Sequence, residues 1–270
     1  MRVLTYNIWD GGINEIGGDR QAQILTVLRD AKADVIALLE ARGFHKDEFA
    51  TLSVWEKELR MTGALACAPS GYHVGLLVRR SYKVVSAETL HASLFTHACL
   101  SVQLKTPQGP LSVFAAHLNP FDPDARLTEA RHLARAADAD SRVLVLGDFN
   151  SFSPSDTIDE SVLRLPKRVL ARHVSALEPN VEEKPALDTR AIGILQWAGF
   201  VDLFRRLHPG EPGWTLPTVV GRPRESAHMR LDYIFATEAM AEGAKTCEVV
   251  RTPASDFGSD HYPLLAEFRG

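Results

Sequence analysis

Residues 143–150 read VLVLGDFN, a run of four apolar residues and a glycine that leads into Asp148 and Asn150. A short apolar run bounded by glycine is the pattern of a strand buried on both faces. Asp148 and Asn150 are two residues apart, so their side chains point the same way if the backbone stays extended. The stretch therefore predicts a buried strand that carries a carboxylate and an amide to one point at its end.

Five other segments place a metal-binding or proton-transferring side chain at or near the end of a similar apolar run. The residues so placed are Asn7, Glu40, His117, Asp232 and the pair Asp260-His261. Active sites of α/β proteins are commonly built at strand ends, on loops that a rigid sheet holds in position. We therefore expect these side chains to meet in one site. Because the set runs from Asn7 to His261, residues 1–270 are predicted to form one domain.

Hydrophobic periodicity predicts helices between these strands. Helical spacing of apolar residues covers 19–32, 47–60, 123–137 and 188–198, and a short helix is expected within 164–177. Between Ala64 and His117 the chain instead alternates short apolar runs with glycine and proline turns, which favours strands. This order of elements predicts an α/β (α+β) protein with two packed sheets flanked by helices.

The composition narrows the class of protein. The formal net charge of -4 argues against a strongly basic nucleic-acid-binding coat but allows a local basic groove. The three cysteines, Cys67, Cys99 and Cys247, form neither a C-x-x-C metal pair nor an even disulfide framework. The sequence after Met1 does not resemble a secretion signal, and no apolar run is long enough to cross a bilayer. We expect a soluble cytoplasmic protein without a membrane span, and no protein partner is evident.

Several carboxylates at one point would repel each other, so a bound cation is the natural neutraliser. Oxygen ligands favour Mg²⁺, with Mn²⁺ as a possible substitute. Glu40 and Asn7 are the strongest candidates for direct contact with the cation. Simpler alternatives remain open for single residues: Asn7 could be a turn residue, Glu40 a helix cap and His117 a buried core histidine.

The ordered set of motifs resembles the endonuclease/exonuclease/phosphatase superfamily, which has the deoxyribonuclease I-like fold. The motifs are Tyr6-Asn7-Ile8, Leu39-Glu40, Ala116-His117-Leu118-Asn119, Gly147-Asp148-Phe149-Asn150, Arg230-Leu231-Asp232-Tyr233-Ile234 and Ser259-Asp260-His261. Each motif is weak alone, but their order is specific and covers nearly the whole chain. The resemblance implies a four-layer sandwich of two packed mixed β-sheets flanked by helices, and metal-dependent hydrolysis of a phosphoester.

The resemblance also implies roles for single residues. It implies metal binding by Asn7, Glu40 and Asp260, water activation by Asp148, phosphate contact by Asn150 and His117, and an Asp232–His261 pair at the phosphate. Asn119 and Arg126 resemble family positions that contact substrate. The sequence also departs from the family: Trp9 stands where many apurinic endonucleases carry an aspartate, and His117 where they carry a tyrosine. Both departures weaken an abasic-site repair interpretation.

The substrate is less clearly indicated. Arg222, Arg224 and Arg230 precede Asp232, and Trp214 lies close by in the chain. An aromatic ring beside arginines suits a nucleotide, through stacking and phosphate contact; the alternative is a solvated loop with Trp214 in the core. His73, His91 and His97 have no partner motif and are expected to be structural or exposed.

The favoured function is a Mg²⁺-dependent phosphodiesterase acting on nucleic acid, with DNA as the favoured polymer and either endo- or exonuclease action. The alternatives are a phosphomonoesterase or lipid-headgroup phosphodiesterase of the same fold, and a non-catalytic binding or scaffold protein.

Overall fold

A computed structural model describes residues 1–176, 186–222 and 227–269. Sixteen strands lie in this part of the chain: β1 (Arg2–Asn7), β2 (Ile13–Asn14), β3 (Gly18–Asp19), β4 (Val35–Leu39), β5 (Met61–Ala66), β6 (Val74–Arg79), β7 (Lys83–Thr89), β8 (Ala98–Thr106), β9 (Gly109–His117), β10 (Val143–Asp148), β11 (Val174–Ala176), β12 (Ala186–Leu187), β13 (Phe200–Asp202), β14 (Asp232–Thr237), β15 (Ala244–Val249) and β16 (Leu264–Phe268). The same residues hold nine α-helices: α1 (Gln21–Ala31), α2 (Ala50–Leu59), α3 (Pro123–Ala136), α4 (Glu160–Leu163), α5 (Lys167–Leu170), α6 (Arg190–Trp197), α7 (Leu203–Leu207), α8 (Glu238–Ala241) and α9 (Pro253–Gly258).

Twelve of these strands form two six-stranded sheets. Sheet I has the order β15-β16-β1-β4-β6-β5, and sheet II has the order β13-β14-β10-β9-β8-β7. The pairs β1–β4 and β9–β10 are parallel and the other neighbours are antiparallel, so both sheets are mixed. The remaining four strands form two two-stranded sheets, the β2–β3 hairpin and the pair β11–β12.

Side chains alternate between the two faces of each strand. Apolar residues on one face pack between the sheets, and those on the other face pack against helices. In β1, Val3 belongs to the core between the sheets, whereas Leu4 and Tyr6 pack under α1 and α2. In β10, Leu144 and Leu146 face the same inter-sheet core, whereas Val145 packs with residues of α3 and α6. Helix, sheet, sheet and helix therefore form four layers, which confirms the predicted sandwich.

Helices are present in the predicted ranges, but their first and last residues differ from the prediction. Local backbone conformation sets these ends. α3 begins where Asp122 accepts hydrogen bonds from the backbone N–H groups of Asp124 and Ala125, with proline in the first turn. The helix expected from residue 47 begins only at Ala50, because Phe49 has a left-handed backbone conformation with φ of 64°. The short helix expected within 164–177 is α5, which covers only Lys167–Leu170; β11 begins at Val174, and residue 177 lies outside the described residues.

No helix in the described ranges is long and apolar enough to cross a membrane. The prediction of a single domain stays a prediction. Strands from the two ends of the chain pair directly in sheet I, where Arg2 of β1 lies opposite Glu267 of β16.

Candidate active site

The site closes one edge of the inter-sheet core. In β9, Val113 and Ala115 face the other sheet, so His117 is the next side chain on that face. The same alternation places Asp148 after Leu144 and Leu146 in β10. β14 runs antiparallel to β10 and begins with Asp232, which lies opposite Asp148. Sheet II therefore delivers an imidazole and two carboxylates to one end of the core.

Sheet I supplies the facing groups. Val3 and Asn7 share a face of β1, and Glu40 follows the end of the neighbouring parallel strand β4. Asp260 and His261 precede β16, which runs antiparallel to β1, so they reach the same edge. The structure thus brings together all the strand-end residues that the sequence predicts.

Two backbone features aim these side chains. A Cβ atom at Gly147 would lie 1.8 Å from the Ala116 carbonyl oxygen, so no larger residue fits in the turn before Asp148. Glu40 and Asn150 are non-glycine residues with positive φ, 59° and 49°. Such conformations cost free energy and cluster at functional sites. They turn the chain sharply at the two strand ends where the polar groups are needed.

Asn7 joins the two sheets through its amide. Its Nδ2 donates to Asp148 Oδ2 at 3.0 Å and to Glu40 Oε1 at 3.2 Å, while its Oδ1 accepts from the Trp9 N–H at 3.0 Å. The backbone N–H of Asp10 donates to Glu40 Oε2 at 3.0 Å. In this geometry the amide N–H₂ group holds both carboxylates, and a cation could reach Asn7 only through the remaining lone pair of Oδ1.

Asp148 is fixed from several sides. Its Oδ1 accepts from the Asn150 N–H at 2.9 Å. Its Oδ2, which bonds to Asn7, lies 3.6 Å from His117 Nε2 and 3.9 Å from His261 Nε2. Both imidazole distances exceed a hydrogen bond. Asn7 and the two imidazoles therefore surround one carboxylate oxygen of Asp148.

Asp232 and His261 form a tight buried pair. His261 Nδ1 donates to Asp232 Oδ2 at 2.7 Å, and this contact fixes Nε2 as the nitrogen that faces Asp148. The Thr215 hydroxyl lies 3.4 Å from the Asp232 N–H and accepts from it. The histidine is therefore oriented by a carboxylate, as the sequence suggested.

The pKa values of His261 and His117 are shifted in opposite directions. Burial alone would lower the pKa of His261, but the charge of Asp232 and its hydrogen bond raise that pKa well above the usual value. Burial lowers the pKa of His117 to about 3, and the charge of His261 adds to the effect. Burial raises the pKa of Asp148 and of Asp232, against the opposing influence of His261. The site thus pairs a cationic imidazole with a neutral one.

The donor set fits a divalent cation. Burial, and next the charge of Asp260, raise the pKa of Glu40 to about 7, so a nearby cation would favour its ionised form. Glu40 and Asp260 offer oxygen atoms of the kind that Mg²⁺ and Mn²⁺ prefer. A second group lies beside them: within the described ranges, Asp148, Asp232 and His261 have potential ligand atoms within 4.8 Å of one another. In this group, His261 Nδ1 and Asp232 Oδ2 are hydrogen-bonded to each other.

The segment that carries Asp260 is clamped by a neighbouring turn. Ser259 Oγ donates to the Asn7 carbonyl at 2.6 Å, and Thr218 Oγ1 donates to the Ser259 carbonyl at 2.5 Å. A Cβ atom at Gly221 would lie 2.7 Å from Asp260 Cβ. Ser259, Thr218 and Gly221 position Asp260 against β1, and the sequence analysis had not identified Thr218 or Gly221.

Two of the predicted substrate contacts are used within the protein. Arg126 and Arg230 are buried and bonded within the protein, which does not fit direct substrate contact. Arg230 pairs with Asp156 and Asp202, each at 2.7 Å, and its guanidinium lies 4.4 Å from the Tyr233 ring centroid. Arg126 donates to the carbonyls of Asn119 and Arg172 at 2.8 and 2.7 Å.

Asn119 is also used internally, because its Oδ1 accepts from the N–H groups of Phe121 and Asp122, both at 2.8 Å. Arg222 is exposed and follows Gly221, the residue that packs against Asp260. Trp214 is partly exposed and stacks on His228, with ring centroids 4.5 Å apart. The predicted contact by Arg224 lies outside the described residues.

His97 is the neighbour that the sequence analysis did not connect to the site. It is buried, its ring centroid lies 4.3 Å from that of His117, and its Nδ1 lies 2.8 Å from Ser70 Oγ. Burial lowers its pKa to about 2. The pairing of Ala98 with His117 across β8 and β9 explains the proximity, and this register was the one signal that could have revealed it.

Comparisons with known proteins find a family and similar folds. A family model described as "Endonuclease/Exonuclease/phosphatase family" matches residues 4–261. An AP endonuclease from Archaeoglobus fulgidus is similar with a TM-score of 0.70 and 19% identity, over 99% of this chain and 99% of that chain. The 3'-5' exonuclease NExo from Neisseria meningitidis gives a TM-score of 0.69 and 17% identity, over 99% of both chains.

D. rerio TDP2 in complex with a single-strand DNA product gives a TM-score of 0.67 and 16% identity, over 100% of this chain and 99% of that chain. At these identities the structural similarities show the fold alone. A search of curated protein sequences finds no match.

Proposed function

Because the chain belongs to the endonuclease/exonuclease/phosphatase family, whose members hydrolyse phosphoesters, we propose that it is a Mg²⁺-dependent phosphodiesterase acting on nucleic acid, with DNA as the favoured polymer. The observation that carries this proposal is the convergence of Asn7, His117 and His261 on one oxygen of Asp148. A scaffold protein would have no use for a buried carboxylate held in this way, since an incompletely bonded buried charge destabilises the fold.

In the proposed reaction, Asp148 aligns the attacking water and accepts its proton. The Asn7 amide and the Asn150 N–H hold the carboxylate in one orientation, leaving a lone pair on each oxygen for the water. His261 presents Nε2–H to a phosphate oxygen, because Asp232 occupies Nδ1 and favours the charged imidazole.

The remaining groups complete the phosphate site. Neutral His117 would contact the phosphate from the sheet II side, together with the side chain of Asn150, whose Nδ2 also donates to the Leu118 carbonyl at 3.1 Å. Glu40 and Asp260 would hold the divalent cation, with Asn7 linking Glu40 to Asp148. A bound cation supplies positive charge to the phosphate oxygens and favours the ionised form of a bound water.

Two solved structures motivate the nucleic-acid substrate. D. rerio TDP2 is described in complex with a single-strand DNA product, and a Neisseria 3' phosphatase NExo variant is described bound to a product DNA hairpin. In this chain, exposed Arg222 follows Gly221, which packs against Asp260, and offers a charge for a phosphate next to the cleaved one.

The test is a hydrolysis screen with Mg²⁺ or Mn²⁺ on plasmid DNA, single-stranded oligonucleotide, RNA, abasic duplex, a phosphomonoester, inositol phosphates and sphingomyelin. The Asp148→Asn variant, purified in parallel, assigns any activity to this site rather than to a contaminant. We expect cleavage of nucleic acid by the parent only, lost in excess chelator. Full activity in chelator would overturn the metal mechanism, and turnover of a non-nucleotide phosphoester alone would overturn the substrate class.

A further inference from the structure

An exposed aromatic ring lies on the loop that follows the strand of His117. Phe121 lies four residues after His117 and is 59% exposed, although phenylalanine is ordinarily buried. The guanidinium of Arg172 lies 5.2 Å from its ring centroid, within the range of a cation–π contact. Arg172 is itself exposed. The two side chains therefore pack against each other without being part of a core.

The backbone beneath this pair is held rigidly. Asn119 Oδ1 accepts from the N–H of Phe121, and the buried guanidinium of Arg126 donates to the carbonyls of both Asn119 and Arg172. One arginine of α3 thus connects the loop that carries the ring to the turn that carries the exposed guanidinium. A solvated loop would not need such a connection.

Glu129 fixes the same loop to the active-site strands. Its Oε2 accepts from the Asn119 N–H and its Oε1 from the Thr96 N–H, both at 2.6 Å. Thr96 immediately precedes His97, the neighbour of His117. Phe121 is consequently positioned relative to the reacting groups, and four residues of extended chain span at most about 14 Å.

We propose that Phe121 and Arg172 form a nucleobase-binding subsite, in which a base flanking the cleaved phosphate stacks on the Phe121 ring and Arg172 contributes positive charge. This rests on the proposed nuclease function and deepens it. Base–aromatic stacking with an arginine is the recurring mode of single-strand binding. The nearby carboxylates are engaged elsewhere, since Asp122 caps α3 and Asp124 pairs with Arg190 at 2.8 Å.

Steady-state kinetics on a single-stranded oligonucleotide and on bis(4-nitrophenyl) phosphate test the subsite. Phe121→Ala should raise KM for the oligonucleotide about 5- to 150-fold, equivalent to the ~1–3 kcal/mol of one base–aromatic stack, and leave the small diester unchanged. Phe121→Tyr should stay near the parent because it keeps the ring. Arg172→Lys should lie between, since lysine keeps the charge without the planar group.

Trp197→Ala is the matched control. Trp197 is 84% exposed at the end of α6. The strand that follows, β13, begins with Phe200 opposite Thr237, the end of β14 remote from Asp232. Its removal should change neither KM.

A set of oligonucleotides, each with one abasic nucleotide, locates the stacked base. At one position the abasic substrate should raise KM for the parent, and Phe121→Ala should add nothing further there. Equal oligonucleotide KM values for the parent and Phe121→Ala would overturn the subsite while leaving the nuclease proposal standing. A parent that hydrolyses the small diester but no oligonucleotide would overturn both.

Discussion

Replacing Glu40 with glutamine tests the proposed cation site without changing the proposed reacting groups, Asp148 and His261. The rise of the Glu40 pKa to about 7 from a usual 4.5 means that the folded protein carries the ionised carboxylate at a cost of roughly 3 kcal/mol above pH 7. Because the folded-state pKa is the higher one, metal-free stability should fall as pH rises from about 4.5 to 7. Glu40→Gln removes this dependence, and loses one acceptor for Asn7 or Asp10.

In the parent protein, cation binding should offset the destabilisation caused by ionised Glu40. A ligand that binds only the folded state at 100 times its Kd adds ~2.7 kcal/mol. For a chain of this size that corresponds to about 5–10 °C in Tm. The shift should be small near pH 5, where protons compete for Glu40, and full at pH 8. Glu40→Gln should show little shift at either pH.

Thermal unfolding at pH 5 and pH 8, with and without Mg²⁺, measures all of these quantities. Glu88→Gln is the control, since Glu88 is an exposed acid on β7. An undiminished Mg²⁺ shift in Glu40→Gln would refute Glu40 as a ligand. If Asp232→Asn abolished the shift instead, the cation would belong on the group formed by Asp148, Asp232 and His261.

Three further outcomes are expected. Asp148→Asn and His261→Ala should each lower kcat by roughly 10²–10⁴-fold with a smaller change in KM, measured by steady-state kinetics, because they act on the reacting groups. Arg230→Met should lower the free energy of unfolding by about 3–5 kcal/mol in urea denaturation, since it removes the cation paired with buried Asp202 and leaves Asp156 with Arg205; an unchanged midpoint would contradict that role. Arg222→Ala should reduce the slope of log K against log salt for single-stranded oligonucleotide binding by about 0.7, the value of one phosphate contact, and an unaltered slope would remove Arg222 from the interface.

Much of the site could be predicted because side-chain alternation is a local property of a strand. An apolar residue at Leu144 and another at Leu146 fix the face on which Asp148 lies, whatever the rest of the chain does. The same reasoning applied to His117 and Asp232. The order of the motifs then identified the family, and the family supplied the sandwich.

The buried arginines could not be predicted in this way. Arg230 is 74 residues from Asp156, and Arg126 is 46 residues from the Arg172 carbonyl that it binds. A sequence shows only that an arginine stands near a catalytic motif, which favours substrate contact as readily as a structural ion pair. His97 was likewise invisible because its contact with His117 depends on the register between β8 and β9.

The alternation that aims the catalytic side chains also limits how the gene for this protein can change in length. Inserting or deleting one residue within the paired part of β10 would exchange its two faces, so that Asp148 would point into the helix layer and a neighbour would take its place. The β2–β3 hairpin and the turn between β8 and β9 carry no such constraint, because they lie away from the strand ends that hold the site. Among variants of this chain, length changes should therefore collect in those connections, while the strands behind the site keep their residue count even where their apolar side chains are exchanged.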